Sequence, residues 1–495
     1  MFFRIAATSA VGLIVLAVLG AVTGPDWTPQ PLTEQLDVES ASTAIGGGPE
    51  RRAGEFEVTS SVLTVELDGM SVEARLLMPT GATEPVPGAV FVHGAGTGRF
   101  EEAFVDQARE LASAGIATLV PDKRLDTYST RHRDYVAMAA DYQVSVEALR
   151  AVEGVDEARV GIYAESEGCW VAPVMAAEDQ GTAFVVFASA PVVPPRQQAA
   201  FAVDAYLRNT GVPLSVFRAI PRAVGMEFPG GGFEYADFEV QPWQQRLTQP
   251  LFMAYGTADA SMPIIQAPLQ MIADVAVAGN DQVTVRYYEG ANHGIKVEGV
   301  LATGYVRDLA TWVHGLPGTA TAAPRVAGAP PVQAFLAEPV PQPRWFGDGD
   351  LVLGIVIAGA ALLVLGPAVF LAGVLLRRKV RLAKGLTWPL VAFGTGCIAT
   401  VGLLVWYLVA IARLALEYER NALVVQGGWI AVRGVGLATV VALAVLAERS
   451  RAVRAEPGNA IAAGRIGHAG LWTVLAGSAL LLLTLAYWGA FQLGI

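Results

Sequence analysis

Residues 160–170 read Val-Gly-Ile-Tyr-Ala-Glu-Ser-Glu-Gly-Cys-Trp. An apolar strand-like run, Arg159 to Tyr163, enters a tight Ala-Glu-Ser-Glu-Gly turn, and a helix-like run, Cys169 to Ala177, leaves it. A strand–turn–helix of this kind lifts a serine hydroxyl clear of a sheet and sets it over a helix N-terminus. Ser166 is therefore the candidate nucleophile. A serine hydroxyl is a poor nucleophile until a base takes its proton. The candidate base is His293, in Glu-Gly-Ala-Asn-His-Gly, just past the strand-like run Gln282–Tyr288. The candidate acid is Asp259, in Tyr-Gly-Thr-Ala-Asp-Ala-Ser-Met-Pro, just past Leu251–Tyr255. An acid there accepts a bond from the imidazole and stabilises the cation formed during attack.

Such chemistry also needs preplaced donors for the negative oxygen of a tetrahedral intermediate. The His93-Gly94-Ala95-Gly96 turn follows the short apolar run Gly88–Val92. The backbone N–H groups of Ala95 and Glu167 are the candidate oxyanion donors. Together with Asp122-Lys123-Arg124, Ser166-Glu167-Gly168, Gly256-Thr257-Ala258-Asp259 and Asn292-His293-Gly294, that turn makes residues 56–316 resemble a bacterial α/β-hydrolase. The resemblance is to the serine esterase/peptidase type, close to the dienelactone-hydrolase and prolyl-oligopeptidase-like groups. It implies a triad of Ser166, Asp259 and His293 and covers about half the chain. In the Gly-x-Ser-x-Gly pattern the first glycine is Ala164, another small residue.

Bland roles compete at each position. Asp259 would also serve as a cap for a helix beginning near Pro263, with Asp126 as a poor substitute acid. His93 reads as structural, holding its turn through a ring hydrogen bond. His132 and His314 read as solvated. Glu165 and Glu167 flank the nucleophile, where they either bond the surrounding loops, repel acidic substrates or contact a substrate amine. Cys169 reads as packing under the elbow.

The elements that must position these residues follow from periodicity. Glu55–Val65 and Val72–Met78 alternate like half-buried strands. Gly88–Val92, Ile116–Val120, Ala183–Ala188, Leu251–Tyr255 and Gln282–Tyr288 are short apolar strands; Glu101–Ala114 and Asp134–Val152 have helical spacing. Strands alternating with helices imply an α/β fold, a mostly parallel sheet covered on both faces. Residues 194–248 interrupt the alternation and read as a cap. Residues 25–54 and 317–350 read as linkers, the second rich in Pro and Ala and hence stiff.

The composition is 53% hydrophobic and 16% charged, with a mean hydropathy of +0.44. Soluble domains carry about 25% charged residues, so part of the 495-residue chain is expected in lipid. Residues 5–22 read as a signal peptide or an N-terminal membrane anchor within residues 1–24. Four apolar runs, roughly 351–376, 388–411, 423–446 and 470–492, are each long enough to span a bilayer. They make residues 351–495 an all-α, four-span region. Its first and third connections carry nine Lys and Arg, from Arg377, Arg378, Lys379, Arg381 and Lys384 to Arg449, Arg451, Arg454 and Arg465. The second carries two, Arg413 and Arg420. Basic loops stay in the cytoplasm, which puts residues 55–316 and the C-terminus outside. Arg433 falls inside the third span, where a bare charge is costly. Either it bonds backbone carbonyls or Glu417 within the bundle, or it meets a lipid phosphate, a substrate carboxylate or a partner's acid.

The net charge of −11 argues against nucleic acid as a partner. Two cysteines and five scattered histidines offer no metal-ligand spacing. The expectation is a membrane-tethered serine hydrolase acting on a small-molecule or lipid ester, thioester or amide, without metal or organic cofactor. An ester comes first, because no peptide-binding propeller accompanies the domain; a peptidase is the variant. The alternatives are an acyltransferase with a lipid or envelope acceptor, and a transporter or sensor whose hydrolase-like part only binds.

Overall fold

The computed structural model describes every residue except 97, 130–131, 231–236, 345, 379, 417–418 and 493–495, and the side chains at 415–416. Two compact units result: a sheet unit (Pro29–Ala202 and Glu234–Pro339) and a helical unit (Met1–Thr28, Val203–Phe233 and Val340–Ile495). The first helix, α1 (Phe2–Val22), belongs to the helical unit.

The sheet unit is built on strands β1 (Glu57–Leu67), β2 (Met70–Thr80), β3 (Val86–Val92), β4 (Ala117–Pro121), β5 (Val155–Glu165), β6 (Val185–Ala188), β7 (Leu251–Gly256) and β8 (Val283–Tyr288). A small ladder, β9 (Lys296–Val297) with β10 (Val300–Leu301), stands apart, and β11 (Val326–Gly328) closes the sheet. The order is β1-β2-β4-β3-β5-β6-β7-β8-β11. β2 is antiparallel to both its neighbours, and the remaining pairs are parallel. Sequence pattern and pairing agree physically: β1 alternates in burial from Leu63 to Leu67, whereas β3, β7 and β8 are buried at every residue, as strands covered on both faces must be.

Helices α2 (Val105–Ser113), α3 (Tyr135–Arg150) and α4 (Gly168–Glu178) connect the central strands; α5 (Pro195–Thr210), α6 (Ala219–Val224), α7 (Gln241–Gln244), α8 (Gln266–Ala276) and α9 (Tyr305–His314) follow. One apolar layer joins α3, α4 and α8 through Val146, Leu149, Val171, Val174 and Met271. The opposite layer joins α2 and α9 through Leu111, Ala112, Leu309 and Trp312. α3 starts where Asp134 accepts bonds from Val136 N and Ala137 N.

Three expectations change. Residues 194–248 do not form one cap: the unit boundary falls inside α5, and residues 203–233 belong with the apolar helices. The reason is polar as well as apolar. Arg222, fully buried, donates to Gly20 O at 2.9 Å, Gly24 O at 3.1 Å and Pro25 O at 3.2 Å. Second, the parts of the segments read as linkers that belong to the sheet unit, 29–54 and 317–339, are bonded to it. Arg286 on β8 is buried and donates to Thr43 O (2.7 Å), Pro324 O (2.9 Å) and Arg325 O (3.2 Å), and β11 pairs with β8. A three-residue strand is too short to announce itself by alternation. Third, His314 is half-buried, and its Nε2 donates to Ala114 O at 3.1 Å.

The helical unit holds α1 with α10 (Gly349–Leu375), α11 (Thr387–Leu416), α12 (Gly428–Ala455) and α13 (Gly464–Tyr487). Among the described residues, five helices are long and apolar enough to cross a membrane: these four, α12 counted from Leu423, and α1. α10 packs along α13, α11 against α12, and α1 against α12 and α13. Small residues allow the first contact: a Cβ on Gly359 would lie 3.2 Å from Gly477 O, and one on Gly366 3.3 Å from Gly470 O. β12 (Arg381–Leu382) pairs with β13 (Ala462–Ala463). Arg433 donates to Gln492 O at 2.6 Å, a backbone carbonyl; Glu417 and Lys379 lie outside the described residues.

Candidate active site

The chain reverses its direction of travel across the sheet between β3 and β5. β4 lies on one side of that pair and β6, β7 and β8 on the other. Ligands of open α/β sheets bind at such a point, off the carboxyl ends of the strands. Val92 of β3 is level with Ala164 of β5, so the His93–Gly96 turn leaves the sheet beside the elbow. Ser166 stands at the elbow's apex with φ of 54°, a left-handed conformation that a serine adopts only under constraint. Ser166 N donates to Ala188 O at 3.1 Å, and Cys169 N to Ser166 O at 3.0 Å. The glycines permit this crowding. A Cβ on Gly94 would come within 3.2 Å of Ser166 Cβ, and one on Gly168 within 3.0 Å of His93 O. Ala164 is fully buried within β5, where a methyl group fits.

Asp259 and His293 are brought together. His293 Nδ1 donates to Asp259 Oδ2 at 2.8 Å, with the carboxylate fully buried and the imidazole one-third exposed. The other oxygen, Oδ1, accepts from Ser261 N at 2.8 Å and Ser261 Oγ at 2.6 Å. Asp259 thus holds its own loop and the imidazole at once. The backbone of His293 is held too: Ser189 Oγ donates to His293 O at 2.7 Å. Ser189 follows Ala188, the residue that receives Ser166 N. Nucleophile and base are linked through that loop, and among the described residues the Ser166 hydroxyl itself makes no hydrogen bond. Asp126 is engaged elsewhere, with Arg124 at 2.7 Å.

Electrostatics follow from burial and partners. Burial alone would push the His293 pKa down, but the bond to Asp259, its charge and that of Glu165 outweigh this, and the net shift is upward. Burial pushes Asp259 up, yet His293 and Ser261 hold it below the usual carboxylate range. Glu165 moves upward because burial outweighs the charges of His293 and Lys296, and its Oε2 is buried without a partner among the described residues. His93 is neutral, pressed down to about 4 by burial despite its bond to Pro121 O at 2.7 Å. The Cys169 thiol is buried, donates weakly to Ala164 O, and is pushed well up by burial, which leaves it inert as a nucleophile.

Glu167 points away from the site. Its carboxylate is buried against Lys123 Nζ (2.8 Å), Tyr128 OH (2.6 Å), Tyr135 OH (3.3 Å) and Arg133 Nη1 (3.3 Å). Its backbone N–H and that of Ala95 have no acceptor among the described residues. Ser261, Ser189 and Lys123 are the site residues that sequence reasoning missed. Lys123 and Ser261 carried a signal, as parts of the quoted Asp122-Lys123-Arg124 and Tyr-Gly-Thr-Ala-Asp-Ala-Ser-Met-Pro segments.

No family model and no curated protein matches the chain. Solved structures do resemble it. The dienelactone hydrolase of Anabaena variabilis is 17% identical with a TM-score of 0.36, covering 52% of this chain and 97% of that one. Est1E from Butyrivibrio proteoclasticus is 17% identical with a TM-score of 0.35, covering 48% and 92%. The acylaminoacyl peptidase of Pyrococcus horikoshii is 15% identical with a TM-score of 0.38, covering 51% of this chain but 40% of that one. By its own strand order, its crossovers and its strand–turn–helix elbow, the sheet unit has the α/β-hydrolase fold, on a chain that also carries helices long and apolar enough to cross a membrane.

Proposed function

We propose that this protein is a membrane-tethered serine hydrolase that cleaves carboxylic esters through Ser166, His293 and Asp259. The observation that carries the reading is the 2.8 Å bond from His293 to a buried Asp259, on the strand ends that also present Ser166 at φ 54°. Ser166 Oγ attacks the ester carbonyl carbon as its proton passes to His293 Nε2. The new oxyanion is received by the unpaired N–H groups of Ala95 and Glu167. His293 then protonates the departing alkoxide, leaving an acyl-serine. Water attacks that ester, again giving its proton to His293, which returns it to Ser166 as the acid leaves. Asp259 stays ionised throughout and stabilises each imidazolium. Catalytic hydrogen bonds are often long before substrate binds and tighten in the complex, which accommodates the unbonded Ser166 hydroxyl.

The proposed orientation has α1 crossing outward, the sheet unit outside the cytoplasm, and four further crossings that end outside. The two basic connections support it, because β12 and β13 tie them to one another and so keep their eight described basic residues at one end of the helices.

Fluorophosphonate labelling tests the chemistry. The full chain is expected to lose fluoride from the probe and carry its phosphonyl group on Ser166, with Ser166→Ala unlabelled and its esterase rate reduced about 10⁴-fold or more. A folded wild-type protein that neither labels nor hydrolyses p-nitrophenyl esters refutes the reading. Transfer of the acyl group to an added lipid alcohol in place of water would make it an acyltransferase.

A further inference from the structure

Lys123 lies behind the candidate oxyanion hole with its side chain 1% exposed. Its ammonium donates to Gly94 O at 2.8 Å and to Glu167 Oε2 at 2.8 Å, and rests 3.7 Å above the ring of Tyr128. Those two acceptors belong to the two residues that matter most to the hole. Gly94 O is the carbonyl of the very peptide whose N–H is that of Ala95. This peptide is trans, so C=O and N–H point in opposite directions. An ammonium fixed on the carbonyl therefore fixes the direction of the Ala95 N–H and prevents the peptide from turning over. It also polarises the amide, which makes the N–H a stronger donor. Glu167 supplies the other N–H, and its side chain is tied to the same ammonium.

The surroundings sharpen the point. The single negative charge of Glu167 faces two positive ones, Lys123 at 2.8 Å and Arg133 at 3.3 Å. The cluster keeps a surplus positive charge on the carbonyl side of the donors, opposite the place where negative charge develops. Tyr128 and Tyr135 complete the carboxylate's bonds. A buried ion pair needs such partners to offset desolvation, and this one spends its donors on the two loops of the hole.

We propose that Lys123 is a positioning residue for the reaction: one buried ammonium aligns and polarises both oxyanion donors, Ala95 N–H through Gly94 O and Glu167 N–H through its side chain. The proposal rests on the serine-hydrolase reading above. It predicts a loss in the transition state with little change in the ground state, which a purely architectural ion pair does not.

The test uses the full chain in detergent, with Lys123→Met, Glu167→Gln and the double variant Lys123→Met/Glu167→Gln, which leaves no lone buried charge in that pair. Kinetics on a p-nitrophenyl ester are set beside the affinity of an alkyl boronic acid, whose tetrahedral serine adduct uses the same donors. Lys123→Met and the double variant are expected to lose kcat by roughly 10²-fold, with KM within about threefold and boronate affinity falling in step with kcat/KM. Glu167→Gln, which keeps the ammonium on Gly94 O, should lose less than either. A folded double variant whose kcat and boronate affinity stay within about threefold of wild type overturns the proposal. So does failure of both Lys123 variants to fold, since Lys123 would then serve the fold alone. A wild-type protein without labelling or turnover fails the serine-hydrolase reading instead, and the two failures are told apart by that control.

Discussion

In the sheet unit, several buried charges meet opposite charges, although the buried Arg286 meets backbone carbonyls. Lys123 faces Glu167, His293 faces Asp259, and Arg307 faces a fully buried Asp308. In the helical unit, Arg222 holds the carbonyls of Gly20, Gly24 and Pro25 and Arg433 donates to Gln492 O, while Arg208 pairs with the buried Asp204 and Arg218 with Asp26. Hydroxyls there fold back on their own helix, Thr400 onto Gly396 O, Thr439 onto Val435 O and Thr484 onto Leu480 O. Glu448 has Thr8 and Arg451 as partners. The difference has a physical content. An imidazole paired with a carboxylate and one-third exposed can exchange a proton with substrate. A guanidinium bonded to carbonyls among apolar helices satisfies a local cost and has little left to offer a ligand.

The comparison breaks most visibly at Asp259. Asp259→Asn should lower kcat about 10⁴-fold while the protein stays folded, because the amide favours the wrong imidazole tautomer. A loss below about tenfold, measured with p-nitrophenyl esters, would mean the carboxylate only caps its loop.

A smaller effect sharpens it. In the proposed mechanism His293 must be neutral to accept the Ser166 proton, and its pKa is raised above the ordinary 6.5. kcat/KM should therefore climb with pH along a limb centred above that value. Glu165 is one of the charges that raise His293. Glu165→Gln removes the negative neighbour, so the limb should move to lower pH. A limb that stays in place or moves upward would remove Glu165 from the electrostatics of the site. The same pair links pH to stability with opposite signs. The contribution of Asp259, whose pKa is depressed, is lost as pH falls through its folded value; that of His293 is lost as pH rises through its own.

The smallest expected effect lies in the helical unit. Arg433→Leu should leave ester hydrolysis within about twofold of wild type, since one guanidinium bond runs to the Gln492 carbonyl of its own unit. A larger change in kcat or KM would mean that Arg433 influences the candidate site.

Much of this was readable from residue order alone. The strand–turn–helix around Ser166 is local and is written in consecutive residues from Arg159 to Ala177. The apolar spans are equally legible, because a bilayer imposes a length and composition that no tertiary contact alters. β3, β7 and β8 announced themselves as unbroken apolar runs for the same kind of reason. Other features are sums of distant contacts. Nothing in the order of residues says that Gly94, Lys123 and Glu167 share one buried ammonium, or that Ser261 braces the acid. Arg286 gathers residues 43 and 324–325 onto the sheet, and Arg222 draws residues 203–233 to the end of α1. Each of these rests on where a long side chain finds unpaired carbonyls or carboxylates. Periodicity reports which face of an element is apolar, but the partners of a buried charge are fixed only when separate segments close around it and water is gone.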